Sequence, residues 1–149
     1  MTKELLKKLG QAPLYMEIEE ALRQGEGRIS VSGLSPTDEV FFYLELQARL
    51  GRPLCVVKEE GEGESLALLL QEWIGEGAAF LPKRNLLPYR TMVRSHEDKY
   101  RRLDILSRLL RGEISILLMG EEAWLDRYGA PEVFRKKILE LSEGMEVSR

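Results

Sequence analysis

Three short apolar runs alternate along the chain with longer stretches in which leucines recur at helical spacing. The runs are Pro53-Leu54-Cys55-Val56-Val57, Ala78 to Leu81, and Ile114-Ser115-Ile116-Leu117-Leu118-Met119. This alternation constrains the fold more than any other feature. Each run is too short for a helix that buries itself, and each is apolar at odd and even positions alike, the pattern of a strand covered on both faces. Strands that follow one another with an amphipathic helix between them pair in parallel, and the helices then cover the sheet. The expectation is an α/β fold: a parallel sheet with helices on both faces. Two weaker runs extend it. Arg28-Ile29-Ser30-Val31-Ser32 alternates and reads as a first strand, and Ile138 to Leu141 reads as a weak last one.

The punctuation between the runs is distinct. Pro13 suits a first helical turn and Gly25 a left-handed stop, so a helix carrying Leu14, Ile18, Ala21 and Leu22 is expected between them, after a shorter one over Lys3 to Leu9. Ser35-Pro36-Thr37-Asp38 offers a capping serine, a proline at the first helical position and an acid at the third, and Gly51 closes that helix. A polar Glu/Gly loop then leads into a helix carrying Leu66, Leu69, Leu70, Trp73 and Ile74, closed by Gly75. Ser95 with Asp98 reads as a second capping pair, opening a helix that ends at Gly112. Short helical pieces follow at Glu122 to Tyr128 and, after a turn at Gly129-Ala130-Pro131, on to Lys137. Residues 1–25 read as an N-terminal helical extension and 26–149 as the α/β domain, together one compact unit without internal repeats or a dividing linker.

Composition closes several routes to chemistry. With 44% hydrophobic and 32% charged residues the 149-residue chain suits a globular domain with a sizeable core. One cysteine, Cys55, makes no internal disulfide or multi-cysteine zinc site, and one histidine, His96, removes most histidine-based metal and triad schemes. Cys55 reads as a small core residue, His96 as solvent-exposed, and Trp73 and Trp124 as packing residues. No apolar run reaches the ~18 residues of a membrane span, and MTKELLKKLG is no signal peptide, so a cytoplasmic protein without a membrane partner is expected. The net charge is -3, yet nine basic residues against three acids lie between Lys83 and Arg111. That local surplus needs a use.

In an α/β sheet the first strand-to-helix turn is where a phosphate would be held. Here it is Gly33-Leu34-Ser35-Pro36-Thr37-Asp38-Glu39-Val40. Laying G-x-x-x-x-G-K-[ST] on Gly33 puts Asp38 at the second glycine, Glu39 at the lysine and Val40 at the magnesium-binding hydroxyl. Carboxylates at a helix N-terminus cap it and repel phosphate. Glu121 and Glu122, after the most apolar run, resemble a magnesium-holding acid, but without the lysine or hydroxyl they read more simply as the acidic first turn of the next helix. The position has the outline of a nucleotide site and none of its chemistry.

The chain resembles the N-terminal, UvrB-like module of the bacterial transcription-repair coupling factor (Mfd). The resemblance is carried by Ser32-Gly33-Leu34-Ser35, Leu50-Gly51-Arg52-Pro53-Leu54-Cys55-Val56-Val57, Phe80-Leu81-Pro82, Leu86-Leu87-Pro88-Tyr89, Arg102-Leu103 with Leu106, and Leu109-Leu110-Arg111-Gly112, in that order from about Ile29 to Phe134. It implies a P-loop NTPase-like fold, similar to the first ATPase domain of UvrB, with a degenerate phosphate loop. The parent family displaces stalled RNA polymerase by ATP-driven translocation on DNA and recruits UvrA for nucleotide excision repair. Its ATP, magnesium and motor belong to later domains, so no catalytic residue, cofactor or metal is expected in this module. The family's main UvrA-binding surface lies on a small domain inserted after this point. The expected function is a non-catalytic interaction and regulatory module, contacting other domains of the parent and, less directly, UvrA. The alternatives are a residual nucleotide-binding or ATPase domain and a free-standing DNA-binding protein.

Four residues stand out as contact candidates. Tyr89 and Arg90 follow Pro88 in a loop. Arg101 and Arg108 share a polar stripe with Asp104 and Arg111, opposite an apolar stripe of Tyr100, Leu103, Leu106 and Leu110, and ion pairing on a solvated face accounts for much of that stripe.

Overall fold

The computed structural model describes residues 12–25, 27–84 and 92–136. The elements are α1 (Pro13–Arg23), α2 (Pro36–Leu50), β1 (Leu54–Val57), α3 (Glu60–Ile74), β2 (Ala78–Leu81), α4 (Met92–Leu110), β3 (Ile116–Met119), α5 (Glu121–Trp124) and α6 (Pro131–Arg135), with one 3-10 turn at Gly75–Gly77. The fold is α/β. Its sheet has three parallel strands in the order β1-β3-β2, with Ile116 opposite both Leu54 and Ala78.

The order explains where the helices go. From β1 to β2 the chain steps across β3, and from β2 to β3 it steps back. A single hand of crossover therefore needs the two connecting helices on opposite faces. On one face α3 packs Leu66, Ala67 and Leu70 onto Val56, Ala78, Phe80, Ile116 and Leu118, and α2 joins it through Val40 and Leu44. On the other face α4 packs Ile105, with Leu106 and Leu109, onto Ala79, Leu81, Leu117 and Met119. Helices cover both faces, as the apolar runs require. α1 lies outside this sandwich, on α2, where Tyr15 stacks on Phe42 with ring centroids 6.0 Å apart.

Several expectations are corrected. Arg28 to Ser32 belongs to no ladder among the described residues; Ile29, Val31 and Leu34 pack instead against the α1–α2 cluster. Alternation marks any half-buried extended segment, and a strand also needs a neighbour with an open edge. Cys55 is exposed, because among the described residues β1 is an edge strand and no helix covers its second face. The Glu/Gly loop is the first turn of α3, where acids favour a helix start. α4 begins at Met92, so Ser95 lies within it and is not its cap. Along α4 the buried line is Arg102, Ile105, Leu106 and Leu109, while Tyr100 and Leu103 face outward. Trp73 packs edge-to-face on Phe41 at 5.1 Å, but Trp124 is exposed. Lys3 to Leu9, Tyr89, Arg90, Ile138 to Leu141 and the His96 side chain lie outside the described set.

Candidate functional site

Gly33 adopts φ +83°, a left-handed conformation that turns the chain into α2. At the helix start Ser35 Oγ accepts from the Asp38 N–H (3.2 Å), while the Ser35 N–H and hydroxyl both donate to Asp38 Oδ2 (3.1 and 2.6 Å). These hydrogen bonds from Ser35 hold the Asp38 carboxyl below the usual aspartate range. Glu39 pairs with Lys58, just past β1, at 2.7 Å, and the hydrogen bond Lys58 donates to the Glu39 carboxylate holds that ammonium above the usual lysine range. Val40 is in the core. A cap, an ion pair and a core contact thus engage Asp38, Glu39 and Val40, and an acid sits on the N-terminus of α2, the end of a helix that would otherwise attract an anion.

In open parallel sheets ligands gather outside the carboxyl ends of the strands, where neighbouring strands send their connections to opposite faces. Here that place lies between β1, which leads to α3, and β3, which leads to α5. The crevice is lined by Glu59, Glu60, Gly120, Glu121, Glu122 and Lys83. Lys83 Nζ lies 3.1 Å from Glu60 and 3.2 Å from Glu122, and these carboxylates hold it above the usual lysine range. An acidic notch with its own ammonium ion disfavours phosphate. Glu121 and Glu122 form the first turn of α5, and among the described residues no three side chains are grouped to hold a metal ion.

The basic surplus is largely paired within the molecule. Arg101 meets Glu64 at 3.3 Å, and Arg111 meets Glu113 at 2.5 Å. Arg108 donates to the Glu76 carbonyl and lies near Glu76, Asp104 and Glu113; its buried Nε, 3.7 Å from Glu113, makes no hydrogen bond among the described residues. Arg101 and Arg108 point to different acids and do not converge on one site.

Arg102 does converge. Its side chain is buried, donates to the Pro82 carbonyl and to Asp126 at 2.9 Å, and lies 5.6 Å from the Tyr128 ring centroid. Asp126 also receives Arg84 at 3.3 Å, and Arg84 donates to the Arg127 carbonyl. Tyr128 donates its hydroxyl proton to the Ala123 carbonyl at 2.6 Å. One guanidinium thus ties the exit of β2 to α4 and to the chain beyond α5, and guanidinium geometry suits a fixed carbonyl and a fixed carboxylate together. Sequence reasoning missed this node. Its signal was there: Arg102 stands three, four and seven residues before Ile105, Leu106 and Leu109, the first place on an otherwise apolar line.

A second depression, about 430 Å³, lies along β1 and includes Cys55, Leu109, Leu117, Trp124 and Phe134. It is almost wholly apolar. No helix among the described residues is long and apolar enough to cross a membrane. Compared with family models, with curated proteins and with solved structures, the chain matches none.

Proposed function

We propose that the chain is a non-catalytic interaction and regulatory module of the kind the resemblance indicates: the UvrB-like N-terminal part of a transcription-repair coupling factor, on a P-loop NTPase-like plan with a degenerate phosphate loop. The observation that carries the reading is the start of α2, where the Ser35–Asp38 capping box and the Glu39–Lys58 pair use the groups a phosphate would need. The acidic crevice around Lys83 supports it from the other side. On this reading the ATP, magnesium and DNA chemistry belongs to the motor domains of a longer parent, in the cytoplasm, this module contacts those domains, and the main UvrA-binding surface belongs to a separate inserted domain of the parent.

A thermal-shift titration with Mg-ATP tests it. A ligand at a hundred times its Kd stabilises by about 2.7 kcal/mol, several degrees in Tm for a domain of this size. The expected shift at millimolar Mg-ATP is under ~1 °C, and a clear rise returns the chain to the nucleotide-binding class. A fluorescent duplex titrated at two salt concentrations tests the DNA-binding alternative, for which binding should be tight and salt-sensitive.

A further inference from the structure

Beside the Arg102 node, outside the carboxyl end of β2, lies a cleft of about 410 Å³ with a two-part chemistry. Its rim carries Arg84, Lys99 and Arg127. Asp126 is shared by Arg84 and Arg102, and Asp98 is the one carboxylate in the lining. The side chains of Lys99 and Arg127 have no ion-pair partner among the described residues. The cleft therefore keeps a positive surplus, although the chain as a whole is acidic. The same lining includes Leu103, Leu106, Tyr128 and Phe134, an apolar patch in which Leu103 and Tyr128 are exposed.

We infer that this cleft docks an acidic protein segment carrying one large apolar or aromatic side chain, with the apolar group on the Leu103, Leu106, Tyr128 and Phe134 patch and the flanking carboxylates on Lys99 and Arg127. The proposal rests on the reading of the chain as an interaction module and names the chemistry of a partner. A small phosphate fits the same residues less well. Phosphate sites converge several N–H donors on one point, but Arg102 is committed to Pro82 and Asp126, and Arg84 to Asp126 and the Arg127 carbonyl. The uncommitted charges stand on the rim around an apolar patch, which is how peptide grooves with a buried anchor and charged flanks are arranged.

The test is amide chemical-shift mapping on the isotopically labelled full chain with the peptide acetyl-Glu-Asp-Phe-Glu-Asp-amide. Saturable shifts are expected at Lys99, Arg102, Leu103, Tyr128 and Gly129, with binding about tenfold weaker in the exposed double variant Lys99→Glu/Arg127→Glu and unchanged in Arg28→Glu. Replacing the peptide's Phe by Ala should weaken binding about tenfold. Absence of shifts at these amides, binding that ignores the double variant, or equal binding of the Ala peptide overturns the proposal. Inorganic phosphate moving the same amides at lower concentration also overturns it, in favour of a small-anion site. The ATP and duplex titrations are independent of these outcomes, so the cleft can fail while the silent-module reading stands, and the reverse.

Discussion

At Arg102 one side chain decides how three segments meet. It is 8% exposed, its charge is matched by Asp126 through Nη2, and its Nη1 donates to the Pro82 carbonyl. Removing one partner of such a pair strands the other and also frees a carbonyl. Arg102→Ala is expected to lower the unfolding free energy by about 2–4 kcal/mol in urea titrations, and Arg102→Lys to recover less than half of that, since one ammonium cannot serve carbonyl and carboxylate in fork geometry. Asp38 gives a pH signature. Its folded-state pKa is depressed by Ser35, so the stability it contributes is full above the ordinary value of 3.8 and is lost as pH falls through the folded value. The stability gap between the natural chain and Asp38→Asn should therefore shrink between pH 6 and acid, as read by denaturation at each pH. Ser35→Ala should cost about 1 kcal/mol at neutral pH, as N-caps do.

Among the elements, α3 shows how packing overrides a local rule. Its sequence opens Glu60-Gly61-Glu62-Gly63, which reads as a loop because glycine weakens helices. Gly63 is nonetheless buried against β2: a Cβ there would sit 2.9 Å from Cε2 of Phe80, a ring fixed in the core. A Cβ at Gly61, two residues earlier in the same helix, would meet nothing within 4 Å. Gly63→Ala is expected to destabilise by about 1 kcal/mol or more, the overpacking outweighing the gain in helix propensity, whereas Gly61→Ala should be neutral or stabilise by up to ~1 kcal/mol. Urea titration of the pair separates propensity from packing. In α4 the error has the opposite sense. Tyr100 and Leu103 look like core because they are apolar, and Arg102 looks like surface because it is charged, yet the helix turns the arginine inward. A charge can be buried when a partner waits for it, and Asp126, 24 residues away, is invisible to any local pattern.

For the whole molecule, strand order separates what was legible from what was not. Cys55 lies in an apolar run and reads as core, but among the described residues it is on an edge strand whose second face α4 leaves bare. Its thiol should react with Ellman's reagent in the native protein without unfolding, more slowly than free cysteine, because partial burial raises its pKa. Complete protection in the folded state would show that this face is covered. The sequence by itself determined the class: short doubly apolar runs separated by capped amphipathic stretches admit little besides a parallel sheet between helices. It also determined the chemistry at the start of α2, because a capping box is local, closed over four residues from Ser35 to Asp38. Only the tertiary structure decided that β3 lies between β1 and β2, that Arg28 to Ser32 joins no ladder among the described residues, that Arg102 is buried, and that cationic and apolar side chains line one cleft. The physical reason is range. Periodicity and capping act within a few residues, whereas strand order, the pairing of buried charges and the shape of a cleft depend on groups brought together only when the chain has closed on itself.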